Sequence, residues 1–146
     1  MELVADILRH KGGRVVTISG DATVFQAIER MVAENVGSII VLDDSQIEGV
    51  FTERDYLRRV ALKGRTSKET PIRDVMTTDV MYVDSSYTVK QCLAIMTQKK
   101  IRHLPVMDDG TLVGVVSIGD CVKELSAGAE ANVRYLTEFI TGRYPG

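Results

Sequence analysis

Several residue types that mark common protein classes are scarce in this 146-residue sequence. It has no tryptophan and only two cysteines, Cys92 and Cys121, which form neither a CxxC motif nor a disulfide framework. Uncharged runs of the first half, such as residues 36–42, are far too short to span a bilayer, and no secretory signal is expected. With 18 basic and 20 acidic residues, the net charge of −2 lacks the basic footprint of a sequence-independent nucleic-acid binder. These absences predict a cytoplasmic protein with reduced thiols that binds neither membrane nor nucleic acid.

What the sequence does contain is an internal repeat. Shifted by 65 residues, Val15–Leu62 aligns without a gap on Val80–Ala127, and 11 of the 48 aligned pairs are identical. Chance would give roughly 3 identities at this composition. The 45% hydrophobic content and the length suit one compact core. We therefore expect two copies of one supersecondary unit, packed together as a single globule.

Each copy has the pattern of strand, helix, strand, strand, helix, which predicts an α/β (α+β) fold. Thr23 and Thr88 are expected to cap the helices that follow the first strands, and Thr52 and Ser117 to open the closing helices. Aspartate pairs mark the hairpin turns. The predicted strands are Val15–Ile18, Ser38–Leu42 and Ile47–Phe51, then Val80–Val83, His103–Met107 and Leu112–Val116. The predicted organisation is an N-terminal helix or linker (1–14), repeat 1 (15–62), a linker (63–79), repeat 2 (80–125) and a C-terminal helix or tail (126–146), with a docked helix over 132–141.

The end of each repeat carries a recognisable motif. Gly49–Asp55 and Gly114–Asp120 both read Gly-h-h-[Ser/Thr]-x-x-Asp, where h is apolar, and Ile101–Val106 leads into the second copy's first hairpin strand. These residues resemble the cystathionine-β-synthase (CBS) domain, and the chain resembles a stand-alone CBS pair, or Bateman module. The resemblance implies two βαββα repeats with pseudo-twofold symmetry, adenosine-containing ligands in two clefts, and a homodimer formed through helices. It implies no enzymatic activity, no catalytic residue and no catalytic cofactor.

The motif suits a nucleotide on physical grounds as well. A hydroxyl at a helix start donates to a phosphate beside the first-turn amides, and an Asp one turn later accepts from the two hydroxyls of a ribose. By the resemblance, one repeat supplies these groups and the other supplies the wall for adenine. The residues assigned to the first cleft are Thr52, Arg54, Asp55, Val80, Met81, Arg102, His103 and Pro105, and those of the second are Ser117, Asp120, Val15, Val16, Gly37, Ser38 and Ile39.

The two clefts are expected to differ in charge. Arg54 and Arg102 fall in the first cleft, and arginine binds phosphate oxygens bidentately. We therefore hypothesise that a phosphorylated ligand prefers the Asp55 cleft and that the Asp120 cleft binds more weakly or takes less charge. The candidate ligands are AMP, ADP, ATP and NADH, with S-adenosylmethionine disfavoured by the arginines.

Simpler interpretations stay open for the same residues. Both Ser/Thr-x-x-Asp motifs are also ordinary capping boxes, and His103 also suits a role in satisfying backbone groups at a strand start. With His10 as the only other histidine, no metal site is expected. The leading functional hypothesis is a regulatory module that senses adenine nucleotides and signals to an unknown protein target. The alternatives are a ligand-independent dimerisation or scaffold module and a regulator of a thioredoxin-type redox partner.

Overall fold

The structure is a computed structural model that describes residues 1–127. The chain divides into two units, Val15–Val80 and a second unit that joins Met1–Arg14 to the described residues from Met81 onward. Each unit has its own hydrophobic core. The helix predicted over 132–141 lies outside the described residues. The regular elements are α1 (Val4–Lys11), β1 (Thr17–Ser19), α2 (Val24–Glu34), β2 (Ser38–Asp43), β3 (Gln46–Thr52), α3 (Glu53–Asp55), α4 (Val89–Lys99), β4 (His103–Asp108), β5 (Thr111–Ser117) and α5 (Ile118–Ser126).

The predicted hairpins are confirmed, and the two copies follow one plan. In the Val15–Val80 unit the sheet order is β1-β2-β3, with β1 parallel to β2 and β2 antiparallel to β3. In the other unit β4 and β5 form the matching antiparallel pair. Both hairpins carry a register shift at the same place, after Val41 in one and after Val106 in the other. Their turns use positive φ at Asp44 (47°) and Asp109 (50°), as two-residue hairpin turns require.

The long helix of each copy begins at a capping box. In α2 the Thr23 hydroxyl accepts from the amide of Gln26 at 3.1 Å, and the amide of Thr23 donates to the Gln26 side chain at 2.9 Å. Thr88 and Gln91 repeat the arrangement in α4. The caps satisfy amide groups that the first helical turn leaves without partners. They therefore start both helices at the positions that the sequence predicts.

The first strand of each copy differs from the prediction. In the first copy β1 covers Thr17–Ser19 rather than Val15–Ile18, and the second copy departs further. Instead of a strand over Val80–Val83, a single bridge joins Val83 to Val106. In the first copy the amide of Ile40 donates to the carbonyl of Val16 at 3.1 Å, which supports β1. The position that aligns with Ile40 is Pro105, which has no N–H to donate. The proline therefore removes one bond of the ladder and shortens the strand.

The closing helix of the first copy also departs from the expected form. It begins at Thr52 as predicted, but α3 spans only Glu53–Asp55 and continues as a π-helix over Tyr56–Ala61. In this segment the amide of Leu62 bonds to the carbonyl of Leu57 at 3.0 Å. The corresponding helix of the second copy, α5, is regular over nine residues.

The segment that precedes each repeat packs on the core of the other repeat. Helix α1 buries Val4 and Ile7 in the core that contains α4, β4, β5 and α5. Ile72, in a 3₁₀ turn over Ile72–Asp74, is buried in the core of the Val15–Val80 unit. Equivalent bridges anchor both segments, Leu3 to Thr88 and Pro71 to Thr23. Residues ahead of a repeat are therefore placed beside the helix starts of the other repeat.

Candidate functional site

Thr52 and Asp55 form one of the two predicted boxes at the junction of β3 and α3. The Thr52 hydroxyl accepts from the amide of Asp55 at 3.1 Å, and Oδ2 of Asp55 accepts from the amide of Thr52 at 3.0 Å. Asp55 is 8% exposed, so its carboxylate is largely removed from water. The capping interpretation is therefore correct for this box. It leaves the other carboxylate oxygen available for a second contact.

That second oxygen is held by the segment between the repeats. Oδ1 of Asp55 accepts from the hydroxyl of Thr77 at 3.1 Å, and Nε of Arg59 lies 4.0 Å from the same oxygen. Arg59 also donates to the carbonyl of Met76 at 2.9 Å, which fixes its guanidinium beside the carboxylate. The carboxylate of Asp55 is therefore held by the cap through one oxygen and by the segment that ends at Thr77 through the other.

The start of β2 lies beside the same box. Ser38 is the cross-strand partner of Thr52, and the amide of Glu53 donates to the carbonyl of Gly37 at 3.1 Å. Ile39, the next residue of β2, is fully buried. The carbonyl of Val16 accepts a hydrogen bond from the amide of the residue that follows Ile39. The structure therefore brings Gly37, Ser38 and Ile39 to Thr52. The other predicted residues of this unit are Val15, Arg54, which is exposed in α3, and Val80 at the end of the unit.

Ser117 and Asp120 form the equivalent box at the junction of β5 and α5. The Ser117 hydroxyl accepts from the amide of Asp120 at 3.0 Å, and Oδ2 of Asp120 accepts from the amide of Ser117 at 2.9 Å. The same Oδ2 accepts from Nζ of Lys11 at 2.7 Å. Lys11 also donates to the carbonyl of Val115 at 2.9 Å. The second box therefore contains an ammonium group that the sequence did not predict.

Arg102, His103 and Pro105 lie in the same unit as this second box. The amide of Ile118 donates to the carbonyl of Arg102 at 3.0 Å, and His103 pairs with Ser117 across the strands. Burial lowers the pKa of His103; the negative charge of Asp120 opposes this, and the positive charges of Lys11 and Arg102 add to it. The imidazole is therefore neutral at neutral pH and offers a hydrogen bond rather than a charge. Met81, the remaining predicted residue, begins this part of the unit and is 37% exposed.

Three residues at the boxes were missed by sequence reasoning, namely Arg59, Thr77 and Lys11. The one available signal was the echo of Asp6-Ile7-Leu8 in Asp74-Val75-Met76, since Thr77 directly follows the second of these segments. This similarity lies outside the gapless repeat and indicates that the segments before the repeats have equivalent roles. It does not show which of their side chains contacts a carboxylate. Which residues of different units serve one ligand stays a prediction.

The two thiols are unsuited to redox chemistry at neutral pH. Cys92 and Cys121 are free and buried in one core. Burial raises the pKa of Cys92 to about 11 and raises that of Cys121 further above its ordinary value. Because the thiolate is the reactive form, both side chains behave as small core residues.

The repeated hairpin and helix units define a class of proteins with two copies of one domain. The sequence model of the CBS domain matches residues 4–62 and 72–127. The chain therefore belongs to the CBS domain family and is a CBS-pair regulatory module. The family resemblance and the α+β fold class predicted from the sequence are confirmed.

Named relatives and solved structures agree with this assignment. The chain is 33% identical over 150 residues to the mitochondrial CBS domain-containing protein CBSX3 of Arabidopsis thaliana, covering 97% of this chain and 73% of the relative. A protein with CBS domains from Burkholderia ambifaria MC40-6 superimposes with a TM-score of 0.84 at 42% identity, covering 87% and 96% of the two chains.

One more distant structure contains ligands. The CBS domain pair of protein MJ0100, solved with 5′-methylthioadenosine and S-adenosyl-L-methionine, has a TM-score of 0.72 at 24% identity and covers 83% of this chain and 97% of its own. At that identity the likeness extends to the fold alone. Within residues 1–127 no helix has the length and apolar character to cross a membrane. The cytoplasmic location stays a prediction, because the relative CBSX3 is named mitochondrial.

Proposed function

We propose that this CBS pair is a non-catalytic sensor that binds a phosphorylated adenosine ligand, such as AMP, ADP, ATP or NADH, and passes its occupancy to a protein partner. The observation that carries the proposal is the recurrence of one box at both helix starts. Asp55 and Asp120 each use Oδ2 for the cap, and the aligned hydroxyls of Thr52 and Ser117 stand one turn before them. A cap alone requires neither a repeated Gly-Val before the hydroxyl nor an aspartate in both copies.

The chemistry of the box matches the parts of a nucleotide. Thr52 and Ser117 keep their hydroxyl protons for donation, because each oxygen accepts from an amide in the cap. A phosphate at such a helix start also meets the first-turn amides. The 5′-methylthioadenosine and S-adenosyl-L-methionine of the MJ0100 domain pair carry no phosphate, so they support the adenosine part of the proposed ligand alone. The proposed site comprises the residues assigned from the sequence, with Lys11, Arg59 and Thr77 added to them.

The proposed signal passes through the segment that ends at Thr77. This segment bonds to the carboxylate of Asp55 and, through the amide and carbonyl of Thr77, to Val50 at 2.9 Å each. A ribose whose hydroxyls hydrogen bond to the carboxylate of Asp55 displaces or rearranges the hydrogen bond from Thr77. The segment's position then depends on occupancy, and the strength of the signal equals the ligand's difference in affinity between the two arrangements.

Isothermal titration calorimetry with AMP, ADP, ATP and NADH tests the proposal. We expect at least one of these ligands to bind and to raise the melting temperature, and Asp55→Asn with Asp120→Asn to abolish binding when combined. The matched controls are Asp44→Asn and Asp109→Asn, which change carboxylates at hairpin turns where φ is 47° and 50° and where Asn is well accommodated. Absence of binding to the folded wild-type protein, or equal losses in the control variants, would overturn the proposal.

A homodimer is the second proposed property, and it is favoured by exposed apolar side chains. In the Val15–Val80 unit these include Phe25, Val32, Leu57 and Leu62, with exposures of 37%, 75%, 58% and 81%. The positions of α4 that align with Phe25 and Val32 are the polar Lys90 and Thr97. Apolar exposure confined to one of two equivalent helices indicates a contact surface rather than a feature of the repeat.

Light scattering after size exclusion tests this second property. We expect a dimer that Val32→Glu converts to monomer, because a buried, unpaired carboxylate opposes association. Thr97→Glu, at the aligned position of α4, is the control and should leave the dimer intact. A monomeric wild-type protein contradicts the dimer, and a dimer that AMP neither strengthens nor weakens favours the scaffold alternative over the sensor.

A further inference from the structure

Lys11 is held in position at the second box by the end of α1. It is the last residue of that helix, and Gly12 ends the helix with a φ of 87°. Val4 and Ile7 anchor the helix in the core, and His10 contacts Glu124 of α5 at 2.9 Å. The position of Lys11 beside Asp120 is therefore set by a helix that is packed on the core.

The ammonium group occupies the carboxylate oxygen that a ribose needs. A carboxylate oxygen has two lone-pair sites. Oδ2 of Asp120 accepts from the amide of Ser117 at 2.9 Å and from Nζ of Lys11 at 2.7 Å, which fills both sites. Two vicinal hydroxyls that engage both carboxylate oxygens must therefore displace Lys11.

The first box differs in the donors that its carboxylate meets. Among the described residues, Oδ2 of Asp55 accepts from the amide of Thr52 and Oδ1 from the hydroxyl of Thr77, which are both neutral donors. Arg59, whose Nε lies 4.0 Å from Oδ1, donates its hydrogen bond to the carbonyl of Met76. Displacement of a cation is thus a requirement of the Asp120 box and not of the Asp55 box.

We propose that Lys11 determines the ligand specificity of the Asp120 box, by admitting adenosine ligands that carry a phosphate and rejecting neutral or cationic ones. A ribose at Asp120 leaves the ammonium with the carbonyl of Val115 and without its anionic partner. A phosphate on the same ligand replaces the lost anion, whereas adenosine leaves the charge unpaired. The flexible stem and three donors of lysine allow it to turn from one anion to the other.

This inference rests on the proposed adenosine function and differs from one expectation from the sequence, which stays a prediction. The sequence placed the phosphate preference at Asp55, because Arg54 and Arg102 were assigned to that cleft. The geometry adds Lys11 to the Asp120 box, 2.7 Å from the carboxylate. The residue that discriminates by charge is thus supplied by α1, which lies outside the aligned repeat.

Calorimetry with AMP and adenosine tests the inference in two backgrounds, the native sequence and Asp55→Asn, which isolates the Asp120 box. With Lys11 present we expect AMP to bind at least about tenfold more tightly than adenosine, the usual effect of one charge-assisted contact. Lys11→Met should bring the ratio of AMP affinity to adenosine affinity close to one, because AMP then binds more weakly and adenosine binds more tightly. Lys11→Arg should retain the preference. Arg9→Met removes a cation from the same turn of α1, one that pairs with Asp6, and should change nothing.

The outcomes distinguish a failure of the inference about Lys11 from a failure of the proposed adenosine binding. The role of Lys11 is overturned, while the adenosine function stands, if Lys11→Met leaves the ratio of AMP affinity to adenosine affinity unchanged. It is also overturned if Arg9→Met lowers that ratio as much as Lys11→Met does. Failure of AMP and all other adenosine compounds to bind the wild-type protein overturns both. The Asp55→Asn background is needed for assignment only, since the change in ratio is measured in the native sequence as well.

Discussion

The hydroxyl of Thr77 donates a hydrogen bond of 3.1 Å to Oδ1 of Asp55, 22 positions earlier in the chain. The bond ties the segment between the repeats to the carboxylate that is proposed to bind ribose. Because Asp55 is 8% exposed, water is poorly placed to replace the donor. The contact therefore stabilises both the segment and the charged acid.

Thr77→Val is expected to lower the free energy of unfolding by about 1–2 kcal/mol, since it leaves a buried carboxylate oxygen without its donor. Urea denaturation measures the change. Thr78→Val is the matched control at the exposed neighbouring position, where surface substitutions change stability by less than about 0.5 kcal/mol. Equal effects at the two positions would contradict the role of the bond.

The four capping boxes predict a separation of stability from binding. Thr23→Ala and Thr88→Ala should each cost about 1 kcal/mol of stability, because an amide at the start of α2 or α4 loses its acceptor. Thr52→Ala and Ser117→Ala should cost a similar amount and should also weaken AMP binding, because only these hydroxyls stand beside a proposed ribose-binding aspartate. Denaturation and calorimetry on the same four variants make the comparison.

The capping prediction has a clear opposing result. If all four alanine variants lose stability and none loses affinity for AMP, then the boxes at Thr52 and Ser117 are caps only. If Thr23→Ala weakens AMP binding as strongly as Thr52→Ala, the effect is a general consequence of lower stability.

Two aligned glycines are expected to respond differently to alanine. A Cβ at Gly49 would lie 2.7 Å from the carbonyl oxygen of Thr77, which hydrogen bonds hold in place, and 2.6 Å from the sulfur of Met76. A Cβ at Gly114 would meet only the Leu8 side chain, with a methyl group 2.5 Å away. Because backbone moves less readily than a side-chain end, Gly49→Ala should cost about 3 kcal/mol and Gly114→Ala about 1 kcal/mol.

Thermal denaturation of both glycine variants measures this difference. Combining Gly114→Ala with Leu8→Ala should recover part of the loss caused by the glycine substitution, since it removes the overlapping methyl groups. A larger cost at Gly114 than at Gly49 would show that the carbonyl of Thr77 is not the rigid neighbour that its hydrogen bonds indicate.

The lowered pKa of His103 predicts a loss of stability in mild acid. Burial makes the folded protein bind this proton less readily than the unfolded chain, whose histidine has the ordinary pKa of 6.5. The unfolded state therefore takes up more protons as the pH falls, so the contribution of His103 is complete above that pH and is lost as the pH falls through it. An NMR titration of the imidazole, identified by its absence in His103→Gln, measures the shift. A pKa at or above 6.5 contradicts the prediction.

Much of the fold was predictable because the copies share local chemistry at a constant spacing. Thr23 and Thr88 begin α2 and α4 through contacts three residues away, and the turns at Asp44 and Asp109 depend on their own backbone angles. The shortened first strand of the second copy was not predicted. The missing amide of Pro105 matters only once the strand register is known, and the register is a property of the assembled sheet.

The sequence was sufficient to predict the repeat, its hairpins, the capped helix starts and the paired positions of Asp55 and Asp120, because these features rest on contacts between residues close in the chain. The donors that contact the two carboxylates could be identified from the three-dimensional contacts but not from the sequence. Thr77 reaches Asp55 from 22 positions away and Lys11 reaches Asp120 from 109. Contacts over such separations depend on how the preceding segments pack on each core, which no local pattern records.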